Sequence, residues 1–195
     1  RVWLGFGDGQ RNTPVLYALP ETVPYTWSGT WDELVDVELK IRGLQAGAGL
    51  LEGEVVTTDP LNLAHAGLSL DLDTLTQYLA TLNAPRSPLP VDEAQVNRGA
   101  EIFAAQGCAE CHVGSAGTNL QAYDVGTGAS PLETHGVAFD TPTLRWLWLS
   151  APYFHDGSAA TLRQVFELPG RHQLIFTVAP ADIDALVYYL QRLPR

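Results

Sequence analysis

Apolar residues recur at helical spacing in two stretches of the chain. Between Asp92 and Gln106, Val96, Ala100 and Phe103 fall on one face, and Asp92 stands where an N-cap is needed, directly after Pro90-Val91. From Ala181 onward, Ile183, Leu186, Val187, Leu190 and Leu193 form a stripe that ends at Pro194. This pattern predicts a closing helix packed across the first. Pro90-Val91-Asp92 stops whatever precedes it, so the chain divides into residues 1–88 and 89–195.

Composition narrows the class. With 195 residues, 46% of them hydrophobic, the chain can build one compact unit or two small ones and is neither disordered nor fibrous. No apolar run approaches the ~18 residues of a membrane span. Arg1 opens the chain with neither an initiator Met nor a signal-peptide pattern, which reads as a processed or truncated soluble chain. Eleven basic residues against 22 acidic ones give a net charge of −11. Such a surface repels nucleic acid and anionic membranes and favours a basic partner.

The two cysteines are too few for a disulfide scaffold, and they fall together as Cys108-Ala109-Glu110-Cys111-His112. In Cys-x-x-Cys-His each thiol can add to a haem vinyl group, and the adjacent histidine then lies under the iron as axial ligand. Structural zinc requires about two further ligands, and no other cysteine supplies them. A thioredoxin-like dithiol follows a strand, whereas a helix precedes these cysteines. The expected cofactor is one covalent haem c, held by Cys108, Cys111 and His112. Attachment after export places the protein in the periplasm or outside the cell. Residues 91–195 thus resemble a class I cytochrome c domain.

The chain also repeats itself. Asn12-Thr13-Pro14-Val15-Leu16 matches Asp140-Thr141-Pro142-Thr143-Leu144 at an offset of 128. The same offset pairs Pro24-Tyr25 with Pro152-Tyr153, Trp27 with His155, Gly29 with Gly157, Leu34 with Leu162 and Val37 with Val165. Tyr78-Leu79 and Leu82 then match Tyr189-Leu190 and Leu193 at an offset of 111, so the first copy carries 17 extra residues, placed within 46–66. A haem motif for that copy falls upstream of Arg1. The expected fold is mainly α: a class I cytochrome c-like haem domain preceded by a partial, degenerate second cytochrome c-like unit. That half-unit has to lean on the haem domain, on upstream sequence or on a partner.

Nearly the whole chain resembles the bacterial di-haem cytochrome c peroxidase and MauG-like family. The resemblance rests on Arg11-Asn12-Thr13-Pro14, on Tyr25-Thr26-Trp27-Ser28-Gly29, on Cys108 to His112, and on Phe139-Asp140-Thr141-Pro142-Thr143-Leu144-Arg145 running into Ala151-Pro152-Tyr153-Phe154-His155-Asp156-Gly157. It implies that the haem present here receives and relays electrons, while a first haem performs peroxide chemistry. Trp27 matches an electron-passage tryptophan between haems, a core aromatic being the alternative. Asn12, with the carbonyls of Ser150 and Pro152, matches a calcium site, a turn cap being the alternative for Asn12. Arg145 matches a propionate partner, against a plain surface arginine. Phe103, Pro142 and Tyr153 complete the expected haem contacts.

Departures from the family pattern matter as much. Its peroxidatic distal histidine falls at Leu4, and the methionine that ligates its second iron falls at Pro169; the chain has no methionine at all. The favoured sixth ligand is therefore His172, in Pro169-Gly170-Arg171-His172, with His155 second. The repeat mate of His172 is Leu44, which cannot bind iron. His135, in the Gly-rich loop 126–136, is reachable only by loop movement, and His65 reads as a surface residue of the insertion. Bis-histidine ligation lowers the potential relative to His/Met and leaves no position for peroxide. Gly5-Phe6-Gly7-Asp8-Gly9 lacks the strand and helix of a phosphate loop, and Asp71, Asp73, Asp182 and Asp184 read as helix-start or solvated charges. Two functions follow: an exported mono-haem electron carrier or subunit serving other cytochrome or multi-haem partners, or the relay half of a di-haem oxidoreductase whose catalytic haem lies upstream or on another chain.

Overall fold

The computed structural model describes residues 2–3, 9–52, 64–83 and 85–193. Leu4, most of the segment 5–9 and the middle of the insertion lie outside them. The described elements are mainly helical. Strand β1 (Val2–Trp3) pairs antiparallel with β2 (Arg11–Asn12), and β3 (Ala122–Tyr123) with β4 (Phe139–Asp140). Helix α1 (Val37–Leu39) widens into a π turn, Lys40–Leu44. Helices α2 (Leu70–Ala80), α3 (Glu93–Ala105), α4 (Leu162–Glu167) and α5 (Pro180–Gln191) complete the set.

The helix starts follow from their caps. Asp92 accepts from the Gln95 amide, Ser69 from Leu72, and Thr161 from Gln164, so each side chain satisfies an amide that its helix leaves without a partner. Pro180 opens α5 at a position where its missing N–H costs nothing.

Helix α5 crosses α3 at Gly99. A Cβ there would lie 2.2 Å from the Ala185 carbonyl oxygen and 2.4 Å from Tyr189 Cβ, so only glycine lets the backbones approach this closely. Arg98 and Asp182 pair beside the crossing, and Phe103 lies against Tyr189 with ring centres 5.6 Å apart. The main core gathers Ile102, Leu147, Tyr153, Leu162, Leu186 and Leu190, all buried. A smaller core in the first part joins Val35, Leu51 and Leu72.

One succession of structure occurs twice. The 3₁₀ turn Leu19–Glu21 and the extended bridge Tyr25 to Trp31 reappear as Leu147–Leu149 and Tyr153 to Ala159. Left-handed backbone recurs likewise, at Ala18 (φ 51°) and Trp146 (57°), and at Thr26 (75°) and Phe154 (65°). β2 and β4 stand in the same relation, as do α2 and α5.

The two parts interlock. The Asn12 amide donates to the His155 carbonyl at 2.6 Å and the Asp140 amide to the Trp27 carbonyl at 2.9 Å. Arg11 grips Glu133 with both guanidinium arms, at 2.7 and 2.9 Å.

His65 departs from the expectation of a surface residue. It is only 4% exposed, and its Nδ1 lies 2.8 Å from the buried Asp36 carboxylate. Glu33, on the same short segment, accepts from the Ala66 amide, and Glu38 accepts from those of Leu50 and Leu51. Three carboxylates of one segment thus anchor both ends of the insertion, which draws His65 inward.

Candidate haem-binding site

Between α3, α4, α5 and the long connection 112–161 lies a cleft with about 1290 Å³ of space between its walls, part of it open to solvent. Every residue expected at the haem lines it: Cys108, Cys111 and His112, then Phe103, Pro142, Arg145 and Tyr153, and finally His155 and His172. Trp27, Asn12, Ser150 and Pro152 line the same cleft from the side of the first part. His135 is exposed and lies outside the lining.

The motif is set by a short turn. Gly107, at φ 68°, ends α3 in the left-handed region, and the 3₁₀ turn Cys108–Glu110 follows, closed by the His112 amide on the Cys108 carbonyl at 3.0 Å. Both thiols are free and half-buried. Burial pushes the Cys108 thiol up to about 11, so it stays protonated at neutral pH.

His112 is oriented by its backbone partners. Its Nδ1 lies 2.9 Å from the Gly117 carbonyl, which fixes the tautomer and frees Nε2 for a metal. Burial holds its basicity below the ordinary histidine range, against the hydrogen bonds to Gly117 and Pro142, so the ring is neutral and able to ligate.

His172 faces His112. Its backbone sits in the left-handed region at φ 44°, a conformation that side-chain-bearing residues rarely adopt, and its amide donates to the Val125 carbonyl at 2.8 Å. Gly126 makes that anchorage possible, since a Cβ there would lie 2.0 Å from the Gly170 carbonyl oxygen. Phe154 and Phe166 flank the ring at 6.4 and 6.3 Å. Burial, and then the neighbouring His112, push His172 down to about 4, which again leaves a neutral imidazole. The two ring centres are 6.2 Å apart. A metal bound to one nitrogen of each ring at roughly 2 Å, with about 1 Å more to each ring centre, requires a separation of about 6 Å. The pair therefore fits a bridging iron, and the largely apolar walls fit a porphyrin face.

The remaining candidates are placed as follows. Arg145 donates to the Ser115 carbonyl at 2.8 Å and pairs with Glu21 at 2.7 Å, so its guanidinium is engaged at the rim. The Trp27 indole donates to the Asn12 carbonyl at 2.7 Å and stands edge-on to His155, 6.4 Å between ring centres. The Asn12 side-chain amide donates to the Pro152 carbonyl at 2.5 Å, while its own oxygen is buried without a partner.

His155 is buried and stacked on Phe139 at 3.7 Å, with Nε2 3.3 Å from Glu133. Glu133 was not a candidate from sequence. Burial pushes its carboxyl up, but the Arg11 pairing and the His135 amide outweigh this and hold it ionised. Gln106 was also missed: its side chain receives the Ile175 amide and donates to the Phe176 carbonyl, both at 2.8 to 2.9 Å, tying the connection beyond His172 to the end of α3. These pairings span 122 and 69 or 70 residues, so no local pattern announces them.

No family model matches the chain. The cytochrome c551 peroxidase of Nitrosomonas europaea is 33% identical over 156 residues, covering 71% of this chain and 45% of that protein. The methylamine utilization protein MauG of Methylorubrum extorquens is 25% identical over 201 residues, covering 84% and 56%. Among solved structures, hydrazine synthase of Kuenenia stuttgartiensis, in a crystal pressurised with xenon, shares the fold with a TM-score of 0.73 at 24% identity, covering 98% of this chain and 76% of that one. The chain spans 45%, 66% and 39% of the length of three curated peroxidases it matches.

Proposed function

The chain is related to the di-haem cytochrome c peroxidase and MauG-like family, and from that premise we propose that it is an exported electron-transfer protein carrying one haem c. The observation that carries this reading is the pair of half-buried imidazoles of His112 and His172, facing each other across the cleft with ring centres 6.2 Å apart. The haem, when bound, supplies a reversible one-electron iron couple.

The chain's own residues do the rest. Cys108 and Cys111 tether the group, and the Gly117 carbonyl holds the His112 ring in the ligating tautomer. Phe103, Tyr153, Phe154 and Phe166 exclude water from its faces. With His112 on one side, His172 would hold the iron from the other, which would leave a small oxidant no free site. His155 is the alternative ligand, disfavoured by its stacking on Phe139 and its contact with Glu133. Trp27, sharing a hydrogen bond with Asn12 and an edge contact with His155, is the relay between the haem and the first part. Asn12, Ser150 and Pro152 offer oxygen donors for Ca²⁺, and the unpartnered Asn12 oxygen supports that assignment.

Residues 1–88 are read as a partial, degenerate cytochrome c-like unit, and 89–195 as the haem-binding domain; the recurrence of turns, bridges and left-handed positions supports this. Attachment of a c-type haem implies a periplasmic or extracellular protein, and no helix among the described residues is long and apolar enough to cross a membrane. The partners are other cytochromes or multi-haem subunits. A second reading, the relay half of a di-haem oxidase or peroxidase, is favoured by the relatives' greater length.

The test is redox cycling of the purified haem-bearing chain. One electron per haem, taken and returned, with a spectrum indifferent to hydrogen peroxide, is the expected result. Peroxide turnover by this chain alone contradicts it.

A further inference from the structure

Among the described residues that line the haem cleft, Asp140 is the one carboxylate. It stands half-buried on β4, paired with Ala122 of β3, and its own amide is spent on the Trp27 carbonyl at 2.9 Å. Burial lifts its carboxyl to about 6, with the Thr141 amide alone favouring the charged form. The nearby cations are engaged elsewhere: Arg11 of β2 grips Glu133, and Arg145 pairs with Glu21 at the rim. Tyr25 on the segment 24–31, Tyr123 on β3, and the thiols and three histidines of the cleft are the other titratable groups of the elements around it, and none of them holds the Asp140 charge.

The repeat gives this position a second property. At the offset of 128, Asp140 stands where Asn12 stands, and Pro24 where Pro152 stands. Asn12 donates its side-chain amide to the Pro152 carbonyl at 2.5 Å. Gly29 brings Asp140 and Pro24 side by side, since a Cβ there would lie 3.3 Å from the Pro24 ring and 3.8 Å from Asp140 Cβ. An ionised carboxyl has no proton to donate to the Pro24 carbonyl, whereas the acid has one.

We infer that the chain binds a proton on Asp140 together with each electron it accepts, so that reduction and protonation are coupled. That coupling presupposes the electron-transfer function proposed above. On reduction the iron gains one electron from the redox partner and loses one positive charge. The carboxylate in the same cleft thereby loses a favourable neighbour and takes one proton from water at the open side, becoming the acid that can donate to the Pro24 carbonyl as Asn12 does to that of Pro152. Oxidation returns the electron to an acceptor and the proton to solvent. One electron and one proton enter or leave together, so the charge of the cleft stays constant, which its largely apolar walls favour. A unit charge added at such range in a protein interior changes the proton affinity of a carboxylate about tenfold.

The experiment is a potentiometric titration of the haem-loaded chain over a series of pH values, unaltered and as Asp140→Asn. A tenfold gain in proton affinity on reduction corresponds to a midpoint about 59 mV lower at the alkaline limit than at the acid limit, and that fall is the expected result for the unaltered protein. Asp140→Asn, neutral at every pH, should hold the acid-limit potential throughout. A midpoint independent of pH in the unaltered protein overturns the inference, and so does the same fall in Asp140→Asn. The Nernst slope of each titration counts the electrons separately, so a one-electron couple without pH dependence sinks the coupling and leaves the electron-transfer reading standing. If the variant loses its haem, the reduced-minus-oxidised infrared difference spectrum of the unaltered protein decides. Reduction should add a protonated-carboxyl band that shifts when aspartate carries heavy carbon in its side-chain carboxyl. A missing band, or one indifferent to the label, overturns the inference.

Discussion

At the residue scale, buried charge is the strongest lever. Glu133 is held by Arg11 and faces His155, and its side chain is 2% exposed. Replacing it in Glu133→Leu strands a largely buried guanidinium, so the folded state should lose about 3 to 5 kcal/mol, read by denaturant unfolding of the haem-loaded protein. A loss under about 1 kcal/mol would show that Arg11 finds water instead. Asp140 works in the opposite direction. Burial lifts its carboxyl to about 6, above the ordinary 3.8, so between these values the folded protein binds more protons than the unfolded chain. Its contribution to stability therefore falls as pH rises from about 4 to 6. Asp140→Asn should raise Tm at pH 7 and leave it nearly unchanged at pH 4; equal effects at both would refute the burial argument. The residues of the haem motif were legible because their spacing is itself the chemistry. Glu133 and His65 were not, since one is defined by a partner 122 residues away and the other by Asp36, 29 residues away.

At the scale of elements, periodicity located α3 and α5, and their caps agree with the sequence at Asp92 and differ little at Pro180. What periodicity does not give is the crossing point, because Gly99 looks like a helix-weakening residue until Ala185 and Tyr189 lie across it. Gly99→Leu drives a side chain into the Ala185 carbonyl and the base of Tyr189, and neither can move without separating the helices. The variant should lose at least about 3 kcal/mol or fail to retain haem, measured by thermal unfolding and haem content. By contrast, Asp182→Ala removes a solvent-exposed pair with Arg98 and should leave the thermal midpoint almost unchanged. If the two variants behaved alike, the crossing would not be the fold's central contact. His172 was favoured as ligand from its place in the connector before the closing helix, three residues beyond Pro169. Its left-handed backbone and its anchorage to Val125 became visible only in three dimensions.

At the scale of the molecule, the same succession of turns serves two ends. Beside the later turns lies an apolar cleft with two facing imidazoles; beside the earlier ones, carboxylates of 33–38 hold the amides of Leu50, Leu51 and Ala66. The net charge of −11 should make association with a basic redox partner fastest at low ionic strength. A rate independent of salt would place the contact on apolar surface alone. The electron-transfer reading presupposes that His112 and His172 would hold one iron between them. Low-temperature EPR of the oxidised protein tests that most directly. The structure predicts a low-spin bis-imidazole signal, unchanged by hydrogen peroxide and converted to a high-spin signal in His172→Ala. A high-spin, peroxide-reactive iron in the unaltered protein, or a low-spin signal that survives His172→Ala, would contradict it.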